Sequence, residues 1–298
     1  MDLLRTIEGM RTPFWDTFFG LITRLGEEMI LIVFFCVLYW CINKKMAYVM
    51  GAVFFMSSLV VQGMKLIFRV PRPWVYDPTF TTVEGSVGAA TGYAFPSGHT
   101  QNAAAWLGSL GAQIKPLYIK IICFTLAILV AFSRMYLGVH YLSDVVASLV
   151  ITFAILFIAM KVIASESVCK TRELLISGFI ALCAIATIIF AVILYHNGTT
   201  EASQLRDSTR GAGAAIGFAI GMFVERVYIR FSVKSKSILW HIIKVVLGIG
   251  GTLAIQEGVR FIGTGLVIDA VRYFLMVTWI TLAYPLIIKR FFAITEPE

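Results

Sequence analysis

Pro96-Ser97-Gly98-His99 opens an apolar run over residues 96–114, and Ser133-Arg134, His140 and Asp144 bracket the start of another near residue 140. Upstream, Lys65 and Arg72-Pro73 stand at the far end of a third run. Together the three clusters set two histidines, three fixed cations, a hydroxyl, a glycine turn and one carboxylate beside long hydrophobic segments. The combination reads as a phosphate site inside a membrane protein.

The spacing has a physical reading. A phosphoryl group in transfer spreads negative charge over its equatorial oxygens, so the site must aim donors at those oxygens and exclude bulk water. Lys65, Arg72 and Arg134 supply the charge, the arginines through planar forks suited to phosphate oxygens. Ser97 and the backbone N–H groups around Gly98 fall where a helix begins, so unpaired N–H groups and the positive dipole end can face an anion. His140 and Asp144, four residues apart, share one helical face. A carboxylate on one ring nitrogen fixes the tautomer and leaves the other free to attack, which makes His140 the nucleophile. His99 remains as the acid for the departing alkoxide and then as the base that activates water.

The series Lys65-x(6)-Arg72-Pro73, Pro96-Ser97-Gly98-His99 and Ser133-Arg134-x(5)-His140-x(3)-Asp144 resembles the three-part signature of the type 2 phosphatidic acid phosphatase superfamily, with no position missing. That superfamily includes lipid phosphatases, glucose-6-phosphatase and vanadium haloperoxidases. The resemblance covers roughly residues 25–165 and implies a metal-independent reaction through a phosphohistidine, with no cofactor. Carried over residue by residue, it makes His140 the nucleophile, Asp144 its partner and His99 the acid. Lys65, Arg72, Ser97, Gly98 and Arg134 become the phosphate cradle.

Composition sets the outer limits. Of 298 residues, 59% are hydrophobic and 14% charged, and several apolar runs approach the length that spans a bilayer. The fold class is therefore all-α, a polytopic transmembrane helical bundle. The formal net charge of +8 does not indicate nucleic acid, because the basic residues sit in short connections rather than on one stripe. Cys36, Cys41, Cys123, Cys169 and Cys183 lie in or beside apolar runs with no CxxC pair, so they read as packing residues rather than a zinc site or disulfide framework. No cleavable signal peptide is visible, since Asp2, Glu8 and Asp16 interrupt the first 25 residues.

Along the chain, residues 1–25 read as an amphipathic interfacial helix, with Phe14, Trp15, Phe18 and Phe19 set against Arg5, Glu8, Arg11 and Asp16. A core, 26–165, carries spans at about 26–43, 47–68, 98–114, 117–136 and 140–164. Its Pro-, Gly- and Thr-rich segment 69–95 reads as an ordered loop at the mouth of the site. There Trp74, Tyr76, Phe80 and Tyr93 read as aromatic-belt residues, with a lipid entrance as the second reading. An extension, 166–298, adds spans at about 173–195, 209–231, 238–257 and 267–288, for about nine in all. All three clusters then fall at span ends facing one compartment. The opposite side takes 14 of the 25 Lys and Arg, and of the other 11 the site explains three, so the positive-inside rule puts the site outside the cytoplasm. The implied location is a bacterial cytoplasmic membrane, or the endoplasmic reticulum in a eukaryote.

In the extension, Gly213, Gly217 and Gly221 recur at four-residue spacing, which lets helices approach closely, within the monomer in the first reading and across a dimer in the second. Glu257, Arg260, Asp269 and Arg272 lie near span ends on the catalytic side, as mutual ion pairs or as functional charges. His196 and His241 take no role, and Asn197-Gly198-Thr199 matches the glycosylation sequon on the outer side. The nine-span layout resembles glucose-6-phosphatase and the sphingosine-phosphate phosphatases. The leading expectation is a membrane lipid phosphatase whose substrate is an isoprenyl diphosphate, a phosphatidate-type lipid or a long-chain-base phosphate. The alternatives are a lipid phosphotransferase using the same phosphohistidine, and a lipid transport or binding protein with a vestigial site.

Overall fold

The structure is a computed structural model that describes residues 1–88, 90–163 and 168–292. The boundary expected at 165–166 lies outside them. Among the described residues the chain is helical with no strand, in thirteen helices. Seven stretches are long and apolar enough to cross a membrane: Lys44–Tyr76, Leu117–Tyr136, Leu142–Val162, Lys170–His196, Ala202–Ile229, Ile238–Ile262 and Leu266–Phe291. Pro13–Arg24 and Glu28–Ile42 pass that test only as a pair bent by 47°, which makes eight if the pair is one span.

The difference from nine has a local cause. The expected span 98–114 is helix α6 (Gly98–Gln113), 16 residues or about 24 Å long. Protein encloses it on every side, from Thr100 through Ser109, so it carries Gln101, Asn102 and a run of alanines in place of lipid-facing bulk. Its neighbours are α4 (Lys44–Phe68), α7 (Leu117–Tyr136) and α8 (Leu142–Val162). The expected first span is the lower arm of the bent pair, α2 (Pro13–Arg24) and α3 (Glu28–Val37).

The N-terminal segment also differs from a single interfacial helix. Thr12 caps α2, accepting from the Trp15 N–H at 3.4 Å, and Pro13 takes the first helical position, so α1 (Asp2–Gly9) and α2 are separate. Helix α1 folds over the segment after α5 (Pro73–Tyr76): Arg5 pairs with Asp77 at 2.6 Å, and Glu8 accepts the Thr81 N–H at 2.8 Å. Hydrogen bonds from Thr79 and Arg5 hold the Asp77 carboxyl below its ordinary value. Phe80, expected at a membrane belt, is buried with Leu4, Ile7 and Tyr136, and the Arg5 and Arg11 guanidinium groups lie 5.3 and 5.5 Å from its ring centroid.

Helix α4 is the central element, packed against α6, α8, α9 (Lys170–His196) and α10 (Ala202–Val224). The extension closes on it through α10, which packs along α12 (Leu266–Thr278), while α11 (Ile238–Ile262) packs on α12 and α3, and α13 (Tyr284–Phe291) buries Tyr284 and Ile288. A Cβ on Gly217 would meet the Phe274 carbonyl oxygen at 2.7 Å, and Gly213 and Gly221 face Ala270 and Thr281 in the same way. The glycine stripe therefore serves close packing within the chain. At the end remote from the phosphate cluster, charge is paired: Lys44 with Glu225 at 2.8 Å and Arg226 with Glu173 at 3.1 Å. There the Trp40 indole also donates to the Ile280 carbonyl at 3.1 Å.

Gly217→Leu is expected to lower the thermal midpoint of the purified protein in detergent, since overpacking costs about 1–3 kcal/mol. An unchanged midpoint would contradict the close contact between α10 and α12.

Candidate active site

Six of the eight residues singled out in the sequence, Lys65, Arg72, Gly98, His99, Arg134 and His140, line one cavity of about 420 Å³. Ser97 and Asp144 stand behind them, both fully buried. The local folding that brings them together is simple. Lys65 rides the last turn of α4, which stops at Arg69 in the left-handed region (φ 48°). Ser97 caps α6, its Oγ accepting from the Thr100 N–H at 3.4 Å, so Gly98 and His99 begin the helix at the cavity wall. Arg134 ends α7, and the turn to α8 passes through Gly138 at φ +80°, where a Cβ would press on Phe80.

His140 and Asp144 do pair, but across the start of α8 (Leu142–Val162) rather than on one helical face, because His140 precedes its N-cap Tyr141. Nδ1 lies 3.2 Å from Asp144 Oδ2, and the same oxygen accepts the Tyr141 N–H at 2.9 Å. Arg72 reaches the other side of the ring, its Nη1 at 2.8 Å from His140 Nε2. A guanidinium can only donate, so Nε2 presents its lone pair and Nδ1 carries the proton toward the carboxylate. The lone pair on Nε2 is held by the Arg72 donor. Arg72 is itself held by three backbone carbonyls, Nε to Gly92 at 3.0 Å, Nη2 to Thr91 at 2.6 Å and Nη1 to Val139 at 2.9 Å.

Arg134 is 1% exposed and spends one donor on Thr23 Oγ1 at 2.8 Å. Its Nε and Nη2 are buried without a hydrogen-bond partner. Buried unpaired donors are costly and call for a ligand acceptor. The Ser97 Oγ accepts from both the Thr100 N–H and the Thr100 hydroxyl, at 3.4 and 3.0 Å, which leaves its own proton as a donor. Ser97 also positions α6, together with its N–H donated to the Asp144 carbonyl at 3.2 Å. Among the described residues no group of three His, Cys, Asp or Glu side chains could hold a metal ion.

Other cavity residues escaped the sequence reading. Glu27 and Glu28, at the bend between α2 and α3, and Asp207 and Arg210, on α10, line it. Helix α10 starts at Ala202 rather than near 209, because its first turns are polar and hydropathy registers only the apolar part. The bend is pinned to α6 by Asn102 Nδ2 donating to the Gly26 carbonyl at 3.0 Å and Trp106 Nε1 to the Leu25 carbonyl at 2.8 Å. Gly26 is required there, since a Cβ would lie 2.6 Å from the His99 carbonyl oxygen. Of the late charges, Asp269 gathers Arg210 at 2.6 Å, Arg272 at 2.9 Å and Arg206 at 3.6 Å, while Glu257 and Arg260 form an exposed pair at 3.8 Å.

Residues 44–167 match the PAP2 superfamily, and residues 209–295 match the PAP2 superfamily phosphatase, transmembrane extension. The chain is similar to the lipid A 4'-phosphatase of Porphyromonas gingivalis, 27% identical over 50% of this chain and 66% of that protein. It is also similar to phosphatidylglycerophosphatase B of Escherichia coli, 28% identical over 50% of this chain and 74% of that protein. The crystal structure of Aquifex aeolicus LpxE, 27% identical, superposes with a TM-score of 0.49 over 54% of this chain and 93% of that one.

Orthovanadate, a phosphate mimic, tests the cradle directly. Gly26→Ala is expected to weaken its binding by about tenfold or more, the value of one hydrogen bond to a charged group, by displacing His99. Gly20→Ala, where a Cβ meets nothing within 4 Å, is the control expected to leave binding unchanged. Equal affinities for the two variants would show that the bend does not position His99.

Proposed function

We propose, for a chain that belongs to the PAP2 superfamily and carries that superfamily's phosphatase transmembrane extension, that it hydrolyses the phosphate of a membrane lipid through a phosphohistidine on His140. The observation that carries the reading is the His140 ring held between Asp144 on Nδ1 and Arg72 on Nε2, at the wall of a cavity that Lys65, Arg134 and His99 also line.

The steps follow from these positions. An entering phosphate brings oxygens that accept from Arg72, Arg134 and Lys65, drawing the Arg72 donor off Nε2 and filling the open valences of Arg134. Nε2 attacks phosphorus in line, the bond to the lipid oxygen breaks, and the leaving alkoxide takes its proton from His99. Asp144 stabilises the charge that develops on the His140 ring. Water enters, gives its proton to His99 and attacks phosphorus, which releases inorganic phosphate and restores His140. The cavity cations supply the charge compensation, so the reaction runs without a metal ion.

The chain is an integral membrane protein, and the Lys and Arg count supports a site that faces away from the cytoplasm. The two named relatives act on lipid phosphates, as their names say, and this supports a lipid substrate here.

Phosphate release by purified protein in excess EDTA, over isoprenyl diphosphate, phosphatidate, phosphatidylglycerophosphate, sphingosine phosphate and glucose 6-phosphate, is expected from at least one lipid and to be inhibited by vanadate. Chelator sensitivity relieved by magnesium would contradict the cation-only cradle. His140→Ala is expected to abolish turnover, and normal release by that variant would sink the nucleophile assignment. Asp144→Asn is expected to lower kcat by up to about 10⁴-fold while leaving the fold intact, because an amide donor would force the proton onto Nε2. A loss smaller than about tenfold would mean that tautomer control is not its role.

A further inference from the structure

The catalytic cavity does not end at the cradle. Among the helices that line it, four pass from polar to hydrocarbon lining along their length. On α4 the lining passes from Lys65 to Phe55 and Phe54, a descent of 11 residues or about 16 Å along the axis. On α3 it passes from Glu28 to Ile32, and on α10 from Asp207 to Ala214. Continuous with α12, it passes from Tyr273 to Val277 and Ile280. A second cavity of about 40 Å³, wholly apolar, shares Ile32, Phe54, Phe55, Val277 and Ile280 and extends the lower end to Leu31 and Phe35. The floor is aromatic: Phe218 packs on Phe55 with ring centroids 4.9 Å apart and on Phe35 at 6.4 Å.

Protein interiors are packed to crystal-like density, and a large apolar void in them forfeits contacts on every wall. A chamber of this kind, continuous with a phosphate cradle, is accounted for by a hydrocarbon that fills it. Its volume of about 420 Å³ falls within the range of ligand sites, and its lower part is lined by hydrocarbon. Between cradle and chamber, the carboxylates of Glu28 and Asp207 offer acceptors to hydroxyl or ammonium groups on the head.

We propose that the lower chamber is a tail subsite, in which one hydrocarbon chain of a lipid phosphate with a donor-bearing head lies between α3, α4 and the stretch Tyr273–Ile280 while its phosphate occupies the cradle. The extension therefore forms part of the substrate site, and the aromatic floor limits the chain. The inference rests on the phosphatase reading, but its test does not require turnover.

An alkyl phosphonate carrying a diazirine at the chain terminus is photolysed with the full-length protein in nanodiscs, and the labelled residues are mapped. Label is expected on Phe54, Phe55, Val277 or Ile280, suppressed by an excess of unlabelled alkyl phosphonate. Label confined to lipid-facing residues such as Val146 and Val150 would overturn the proposal. In parallel, kcat/KM for monomeric alkyl phosphates is expected to rise by no more than about fourfold per methylene and then level off when the chamber is full. Val277→Trp is expected to move that break to shorter chains, lowering the ratio of long-chain to short-chain kcat/KM by about tenfold. An unchanged ratio overturns the proposal, and should the variant not fold, labelling of the unmodified protein decides. Chamber labelling without hydrolysis of any phosphate would keep the subsite and reject the phosphatase reading. Hydrolysis with label only outside the chamber would do the reverse.

Discussion

A guanidinium sunk among backbone carbonyls governs this structure. Arg72 is 5% exposed, and such a charge is tolerated only when its donors are matched. The carbonyls of Gly92, Thr91 and Val139 take three of them and His140 Nε2 a fourth contact. Two segments far apart in sequence, the loop before α6 and the turn before α8, are joined through this one side chain. The same bonds that satisfy Arg72 align it beside His140 Nε2, so the condition for burying the charge is also the condition for bringing these residues together.

The second half of the chain belongs to this arrangement. Thr91, whose carbonyl holds Arg72, donates its hydroxyl to Asp207 of α10 at 3.3 Å, and Gln204 of the same helix meets Gln62 of α4 at 2.6 Å. Helix α10 can approach α12 because three glycines leave room for its neighbour's backbone. That approach brings Tyr273, Val277 and Ile280 to the cavity wall. The extension thus touches the catalytic loop at one level and the apolar chamber at another.

Much of the site was legible in the chain because its chemistry is local. His140 and Asp144 lie four residues apart across the start of α8, Ser97 caps the helix it precedes, and Lys65 and Arg134 end the helices on which they sit. Ser97 caps α6 by accepting from Thr100, and that bond leaves its own hydroxyl proton unspent. Residues without local signal were missed. Gly26 matters only because His99 lies against it, and Asp207 and Glu28 matter only because α10 and the α2–α3 bend converge on the cavity. Helix α6, read as a span, is 16 residues long and enclosed by protein, which hydropathy along the chain does not register.

By itself, the sequence determined an all-helical membrane protein, the three clusters, their facing of one compartment and the pairing of His140 with Asp144. Composition, helical period and spacing act within a few turns of chain, so these could be read along it. Tertiary structure alone decided that Arg72 caps Nε2, that Arg134 keeps two donors open, and that the N-terminal segment clasps the entrance loop as two helices. It also decided that the extension lines the cavity. Each of these depends on the meeting of segments whose separation in sequence carries no trace of their distance in space, and packing alone sets that distance.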